Sequence, residues 1–422
     1  MNITAVIAVF RRNLSSYFGS PSGYVFICAF LLASGLAAFW PQEFFDSNLA
    51  NLDQLNKFLP LILLGFVPAI TMSIWADERR QGTDELLLTL PGSDFDVVIG
   101  KYLGALAIFT CSLVFSFCAN FIVLSDLGNP DFGLFLSTYL GYWFVGLSMI
   151  AIGMVASFLT SNLTVAFVLG VAFNAPIALL PDSQWGISFN FLDFSRGIIS
   201  ASGIGFFLSL AFVMLYLSSI LIGRRHWAGS PQGNKKVAHF LARVLACLLM
   251  AFSITHVLRN NDFVRIDATF EQLSSLSDGS VVLLDEINQP VEIEAFLSPA
   301  EAMPEQYVQT RINLLTALRE IDRESKLVSV NVNVITPEDN ASSTAEKYGV
   351  LNQNGSNPPL FVMEQGRMMP WEKDLYMGMV FKGNGGQQTI PFLYKGLPVE
   401  YEIMRTLSSV SGPKLKKKLG VF

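Results

Sequence analysis

Charged residues are scarce in this sequence. Of its 422 residues, 51% are hydrophobic and only 15% are charged, and this apolar share exceeds what the core of one soluble domain normally needs. The scarcity is uneven, because charged side chains are sparse before about Arg259 and ordinary in density after it. We therefore predict a membrane-embedded half followed by a water-soluble half.

Cysteine and histidine are also scarce. The four cysteines lie in apolar stretches, where a thiol behaves as a small hydrophobic group, so the sequence offers neither a disulfide framework nor a CxxC metal site. The soluble half has no cysteine, no histidine and no GxSxG motif, so it lacks the usual parts of nucleophile-plus-base catalysis. We predict a non-catalytic chain without a metal site, whose histidines lie at the membrane interface. The residues concerned are Cys28, Cys111, Cys118, Cys247, His226, His239 and His256.

Basic clusters and nucleotide-binding motifs are missing as well. The formal net charge is −6, and the only dense basic run lies at 414–418. Nucleic acid is not an expected partner, because binding phosphate backbones requires a clustered basic face. There is no GxxxxGK[ST] loop in the sequence. The segment nearest to it, a cluster of glycine and lysine at 229–236, has the wrong spacing. We therefore expect no cofactor on this chain.

Long apolar stretches are what the sequence does have. A helix needs about 20 mostly apolar residues to cross a bilayer, and six stretches before Arg224 meet or approach this length. A seventh contains Arg243, which near a helix end can reach the interface. The predicted spans are 22–40, 58–75, 102–124, 134–159, 163–180, 203–223 and 241–258.

The positions of lysine and arginine predict the topology, because basic loops remain cytoplasmic. Basic residues precede the first span, lie between the second and third, and follow the sixth, whereas the opposite loops carry mainly acidic residues. We predict a multi-pass protein of the inner (cytoplasmic) membrane with a cytoplasmic N-terminus. The region after about Arg259 is expected to be periplasmic or extracytoplasmic.

Ionisable residues are absent from the first six predicted spans. Transporters driven by ion gradients usually place such residues at membrane depth to carry the coupling. We therefore expect the energy to come from a separate ATPase.

The loop between the second and third predicted spans carries the most informative pattern. Residues 77–91 read DERRQGTDELLLTLP, and Gly100-Lys101 follows. Thr83 can cap a helical turn at 85–90, and the leucines then form an apolar face. An exposed apolar face flanked by charges is typical of a surface that docks on another protein. The alternative is an interfacial helix resting on lipid headgroups.

This loop resembles the cytoplasmic loop of ABC-2-type permeases, in which an acidic residue and arginine precede Gly-Thr, Glu-Leu-Leu-Leu-Thr-Leu-Pro and a Gly-Lys at the next span. In that family the loop is the coupling helix, which sits in a groove of the ABC ATPase subunit. The resemblance implies that ATP and Mg²⁺ bind the partner ATPase and that the permease pairs with a second copy or a homologous permease. It assigns ATPase coupling to Glu78, Arg79, Gly82, Thr83, Glu85, Leu86, Leu87, Leu88, Thr89 and Pro91, with Gly100 and Lys101 also matching.

Two further segments fit the same family. Residues 191–199, FLDFSRGII, are similar to a Phe-x-x-x-x-Arg-Gly signature of these permeases, particularly those associated with gliding motility. We assign this extracytoplasmic signature to Asp193, Arg196 and Gly197; the alternative is an interfacial helix in which Arg196 pairs with Asp193. Apolar residues at helical spacing around Arg12 predict a basic amphipathic helix on the inner leaflet, where ABC-2 permeases have an elbow helix.

The second half has the pattern of an α/β domain. Alternating strands at 291–297 and 328–334 flank a helical stretch at 306–322, which predicts a parallel βαβ unit. The glycine-rich segment 383–386 predicts a hairpin, and a final helix is expected at 400–410.

This half resembles the auxiliary extracytoplasmic domain of gliding-motility-type ABC systems. The matching residues are those at 265–269, 275–277, 290–293 and 400–403. The resemblance implies a fusion of two subunits that are often separate. Because 417–422 resembles the start of a further strand, we expect the domain to be incomplete.

The predicted fold class is an α-helical polytopic membrane domain with six spans plus a seventh anchoring span, followed by an α/β extracytoplasmic domain. The domain boundaries are 1–227 for the permease domain, 228–260 for the linker and seventh span, and 261–422 for the auxiliary domain. The expected function is the permease subunit of an ATP-driven ABC exporter embedded in membrane lipid. The alternative is a membrane-anchored scaffold that recruits an extracytoplasmic or envelope complex.

Overall fold

The structure is a computed structural model, and it divides the chain into two compact units. Unit 1 comprises Met1–Phe45 and Leu49–Phe270, and unit 2 comprises Asp46–Asn48 and Glu271–Phe422. The structure describes residues 2–47, 50–84, 93–179, 185–225, 233–260, 265–270, 275–299, 303–335, 345, 347–350, 361–364, 367–370, 375–384 and 386–411.

The described part of unit 1 is helical apart from one short strand pair. Its helices are α1 (Ile3–Phe18), α2 (Pro21–Phe39), α3 (Gln42–Ser47), α4 (Asp53–Thr71), α5 (Ser73–Gln81), α6 (Asp94–Leu127), α7 (Phe132–Phe158), α8 (Leu163–Ala178), α9 (Ile187–Ser195), α10 (Ala201–Arg225) and α11 (Gly233–Asn260). Strands β1 (Ile198–Ser200) and β2 (Arg265–Asp267) pair antiparallel.

Among the described residues, five helices are long and apolar enough to cross a membrane. Helices α1 and α2 are together also long and apolar enough to cross a membrane, as a pair bent by 72°. Helix α8 is a shorter apolar helix of 16 residues. This multi-pass helical unit confirms the first part of the predicted fold class. The five helices are Asp53–Gln81, Asp94–Leu127, Phe132–Phe158, Ala201–Ile222 and Ala242–Arg259.

The bend between α1 and α2 has a local cause. Ser20 is extended, with ψ 153°, and Pro21 is the first residue of α2. Proline is favoured at this position, because its fixed φ suits a helix start and its missing N–H would have no partner there. The predicted elbow helix is therefore α1, separated from the predicted first span, α2, by this break.

Helix α7 is the axis of unit 1. From Phe144 to Phe158 every residue is buried, and α4, α6, α8 and α10 all pack against it. A helix that is apolar and buried around its whole circumference is one that other helices surround. Both ends of α7 carry polar contacts that are described below.

Unit 2 is an α/β unit. Its described elements are α12 (Asp278–Asp285), β3 (Val291–Leu297), α13 (Glu305–Glu324), β4 (Val328–Val334), β5 (Phe361–Glu364), β6 (Arg367–Pro370), β7 (Met377–Gly383), β8 (Gly386–Ile390) and α14 (Val399–Ser411). Four strands form one sheet in the order β4-β3-β7-β8, and β5 pairs with β6.

The sheet of unit 2 confirms the strand pattern predicted from the sequence. Strands β3 and β4 pair in parallel with α13 between them, and β7 and β8 form an antiparallel hairpin whose last pair is Gly383 and Gly386. The core on one face contains Ile293 and Met379 from the sheet, with Leu314 and Leu407 from the helices. The expected further strand at 417–422 lies outside the described residues.

Candidate functional site

The predicted coupling segment begins at the end of α5. Gly82 ends this helix with φ 69°, a left-handed conformation that glycine adopts at little cost. The Thr83 N–H donates to the Glu78 carbonyl at 3.0 Å, and the Thr83 hydroxyl contacts the same carbonyl at 3.4 Å. Gly82 and Thr83 therefore form the C-terminal cap of α5. The cap predicted for 85–90 lies outside the described residues.

Glu78 connects three helices. Its Oε1 accepts a hydrogen bond from the Arg12 guanidinium of α1, and its Oε2 lies 2.7 Å from the Lys101 Nζ of α6. The Lys101 side chain is fully buried, whereas that of Glu78 is 15% exposed. We call Arg12, Glu78 and Lys101 the charged node. It ties α5, α1 and α6 together at one end of unit 1.

The environment of Lys101 explains how a buried ammonium is tolerated. Burying a charge is costly unless it is paired and hydrogen-bonded. Besides Glu78, the Nζ atom contacts the Ile74 carbonyl at 2.5 Å and lies 4.4 Å from the centre of the Trp75 ring. All of these groups belong to α5, so Lys101 binds the first and last turns of that helix.

Arg79 connects α5 to the end of α7. Its guanidinium donates to the Phe158 carbonyl and stacks 4.4 Å from the centre of the Phe158 ring. It also lies 4.0 Å from the Asp84 carboxylate. Successive helical residues point in different directions, so Glu78 contacts α1 and α6 while Arg79 contacts α7.

Ser157 of α7 fills the break between α4 and α5. Its hydroxyl donates to the Met72 carbonyl at 2.9 Å and accepts from the N–H groups of Trp75 at 3.1 Å and Ala76 at 3.2 Å. The first N–H groups of a helix have no partner within the helix. One side chain of α7 therefore satisfies the backbone at the point where the span becomes α5.

The downstream end of the coupling segment is also anchored. Ser93 and Asp96 form a capping box at the start of α6, and the Asp96 Oδ2 accepts a further hydrogen bond from the Asn2 N–H at 3.1 Å. A Cβ on Gly100 would lie 2.8 Å from the Val9 Cβ, so glycine allows α1 to approach α6 closely. The described residues on both sides of 85–92 therefore contact α1.

The structure brings together part of the predicted coupling set. Glu78, Arg79, Gly82 and Thr83 all lie in the last turn of α5 or its cap. The remaining predicted residues lie outside the described residues. These are Glu85, Leu86, Leu87, Leu88, Thr89 and Pro91.

Sequence reasoning missed Arg12 and Ser157 as members of this site, and it gave Lys101 only as a match to the family pattern, without its contacts. The predicted third span began at 102, whereas α6 begins at Asp94, so Lys101 lies inside the helix and is buried there. The predicted span 102–124 contains no ionisable residue, but the helix that includes it extends further towards the N-terminus and includes Lys101. A lysine directly before a long apolar run was the available signal.

The predicted extracytoplasmic signature lies at the opposite end of α7. Gly197 has φ 87°, and the hydroxyls of Ser137 and Thr138, near the start of α7, contact the Phe194 carbonyl. The Asp193 carboxylate lies 3.6 Å from the Arg265 guanidinium of β2. The ion pair described for Asp193 is with Arg265; Arg196 follows the end of α9, and its N–H donates to the Asp193 carbonyl at 3.0 Å.

The described part of the chain offers few groups of residues that could bind a metal ion. No group of three or more His, Cys, Asp or Glu residues there could hold a metal ion. The four cysteines are free thiols. The His256 ring stacks on Phe252 within α11, whereas His226 lies outside the described residues.

Matches to known families also separate unit 1 from unit 2. Residues 49–225 match the family described as ABC-2 family transporter protein, and residues 271–382 match a domain of unknown function, DUF7088. No curated protein and no solved structure matches the chain. Residues 49–225 of the membrane unit are therefore similar to an ABC-2 family transporter membrane domain, which supports a membrane permease subunit with several membrane-spanning helices.

Proposed function

We propose that this chain is the permease subunit of an ATP-driven ABC exporter, and that segment 78–91 couples it to a separate ABC ATPase. The observation that carries the proposal is the charged node. Glu78 at the upstream end of the segment binds α1 and α6, and Asp96 just after the downstream end binds Asn2 at the start of α1. Both ends are therefore fixed to the same pair of helices.

The contacts support a mechanical route from this segment into the spans. A movement of the segment is transmitted to α5, and through Glu78 it is transmitted to α1 and α6 together. Arg79 and Ser157 carry the same movement to the end of α7, the axis of unit 1. A buried ion pair resists separation, because breaking it leaves an uncompensated charge. The helices at this end are thus expected to move as one body.

The proposal includes the topology, cofactors and partners. The end with the charged node faces the cytoplasm, together with the N-terminus, and this is supported by its arginines Arg12, Arg79 and Arg80. ATP and Mg²⁺ bind the ATPase, and this chain holds no cofactor. A second copy or a homologous permease completes the membrane part.

The proposed role of unit 2 is that of an extracytoplasmic auxiliary domain of the gliding-motility type. It is supported by the sequence resemblance at 265–269 and 400–403 and by the α/β topology of the unit. Cargo of lipid-like, polymeric or peptide character is compatible with the neutral, phenylalanine-rich spans.

The test is co-purification of the full-length chain with its ATPase. Replacing Leu86, Leu87 and Leu88 by Glu is expected to lower the recovered ATPase at least about tenfold, since charges remove the apolar docking face. The control is Leu327→Glu, which changes a leucine that is 42% exposed in unit 2 and should leave recovery unchanged. Undiminished recovery with the triple variant would contradict the proposal.

The scaffold alternative is favoured by one observation, the self-contained core of unit 2. A partner ATPase that binds ATP but cannot hydrolyse it separates the two functions. If the chain is a permease, cargo movement in reconstituted vesicles stops although the complex assembles. If the chain is a scaffold, the envelope complex assembles and works normally with the inactive ATPase.

A further inference from the structure

The strand pair β1–β2 joins two distant parts of unit 1. Strand β1 lies between α9 and α10, whereas β2 follows α11, the seventh predicted span. The antiparallel register pairs Ile198 with Asp267, Ile199 with Ile266 and Ser200 with Arg265. We call β1, β2 and the residues up to Phe270 the strand clasp.

Hydrogen bonds continue beyond the strand pair. The Ala268 N–H donates to the Gly197 carbonyl at 2.9 Å, and the Phe270 N–H donates to the Asp131 Oδ2 at 3.0 Å. The other oxygen of Asp131 caps the start of α7 by accepting from the N–H groups of Gly133 and Leu134. One carboxylate therefore serves both the helix start and the clasp.

Two glycines shape the surface under the clasp. A Cβ on Gly197 would overlap the Thr269 side chain, and a Cβ on Gly133 would overlap the Ala268 carbonyl. Gly197 is also in a left-handed conformation. The ion pair between Asp193 and Arg265 lies beside the strands. This surface is therefore fitted to the segment 265–270 in shape, backbone hydrogen bonding and charge.

Helix α11 adds contacts near the same end. Leu258 packs so closely on α10 that a Cβ on Gly205 would overlap it, and the Arg259 guanidinium lies 4.6 Å from the centre of the Phe189 ring. Farther back, Leu245 and Leu249 are more than half exposed. Both family matches leave out residues 226–270. The described contacts that hold α11 thus concentrate where the clasp forms.

We propose that α9, β1, α10 and the start of α7 form a docking site for a β-strand, and that α11 and residues 265–270 bind it as the anchor of a separate subunit would. The covalent connection at 226–232 is then not needed for attachment. Strand addition is a general mode of recognition, in which backbone hydrogen bonds give affinity and side chains give specificity. This inference is independent of the proposed coupling to an ATPase.

Cleavage of the folded full-length protein tests the docking site. A protease recognition sequence is placed within 226–232, the purified protein is cut in detergent, and release of the C-terminal piece from the tagged N-terminal piece is measured. The wild-type pieces should stay together. Asp193→Arg should increase release roughly fivefold, because repulsion replaces the ion pair, and Asp193→Arg with Arg265→Asp should reverse this.

The control for the cleavage test is Arg405→Glu, which disrupts the ion pair with Glu402 in unit 2 and should leave release at the wild-type level. Release of the cut wild-type piece would overturn the docking site. The docking site would also be overturned if Asp193→Arg did not increase release, or if the double variant did not reverse that increase.

A disulfide in the uncut chain provides a test that needs no charge variant. Cysteines at positions 199 and 266 would be directly opposite in the ladder, with Cβ atoms about 4.5–5.5 Å apart, close to disulfide distance. In a background without the four native cysteines, Ile199→Cys with Ile266→Cys should cross-link under mild oxidation. Ile199→Cys with Leu245→Cys should not, since Leu245 lies about 20 Å along α11 from Leu258. Equal cross-linking of the two pairs would overturn the proposal.

Discussion

The two ends of α7 are held by different kinds of interaction. This helix has 27 residues and is about 40 Å long. At one end the charged node joins helices through ion-paired side chains, and at the other end the strand clasp joins them through backbone hydrogen bonds. An end held by side chains depends on residue identity, whereas an end held by backbone depends on conformation. Removal of a charge should therefore cost most at the charged node, and substitution of a glycine should cost most at the strand clasp.

The largest effect is expected from Glu78→Met, because it leaves the fully buried Lys101 ammonium without its carboxylate. We expect a loss of about 3 kcal/mol in unfolding free energy, measured by thermal unfolding of the full-length protein in detergent. Glu78→Met with Lys101→Met should recover part of this loss, because the buried charge is removed as well. A double variant as unstable as Glu78→Met would show that the node is not held by charge.

The next largest loss of unfolding free energy is expected from substituting the glycines near the two ends of α7. Both Gly82 and Gly197 have positive φ, but a Cβ on Gly82 meets no atom within 4 Å, whereas one on Gly197 meets Thr269. Gly82→Ala should cost about 1 kcal/mol through the backbone alone. Gly197→Ala should cost more than about 2 kcal/mol, because overlap is added. Equal losses in the same unfolding assay would remove the difference between the ends.

Ser157→Ala tests whether backbone contacts also matter near the charged node. The substitution leaves the N–H groups of Trp75 and Ala76 without the hydroxyl that accepts from them. A loss of about 1–2 kcal/mol is expected, together with faster hydrogen exchange at these two amides. Ser148→Ala is a matched control, because the Ser148 hydroxyl is buried in the same helix but donates to the Val145 carbonyl of its own turn. If the two variants exchange alike, Ser157 has no special role at the break.

The smallest effect is expected at the ion pair of Lys382 and Glu294 in unit 2, which is more exposed than the pair of Glu78 and Lys101. Partial burial lowers the pKa of Lys382, but hydrogen bonds to Glu294 and Tyr348 raise it more, so the pKa lies above its ordinary value of 10.5. A pKa raised by folding gives stability that is present below the unfolded pKa and is lost as pH rises through the folded pKa.

Lys382→Met should therefore cost less than about 1 kcal/mol near neutral pH, and the difference from wild type should disappear at strongly alkaline pH. Denaturant unfolding of the full-length protein at several pH values measures this. A difference between variant and wild type that grows with pH would contradict the assignment of the raised pKa to this ion pair.

How much the sequence could predict also differs between the two ends of α7. The reason is again that one end depends on residue identity and the other on backbone conformation. Glu78 and Arg79 were assigned because they belong to the contiguous motif at 77–91 that resembles a family pattern, and a contiguous motif is a local signal. Strand β2 was not found, because a three-residue strand that pairs with distant residues has no local periodicity. Ser157 was missed as well, since a serine within an apolar helix gives no indication that its hydroxyl serves another helix.

The most direct measurement is site-specific photo-cross-linking from position 87 in cell membranes. If the coupling segment docks on an ATPase, a photoreactive residue at Leu87 should form a covalent adduct with a nucleotide-binding subunit, and one at the exposed Leu245 of α11 should not. An adduct at position 87 with lipid alone, or none with a nucleotide-binding protein, would contradict the account.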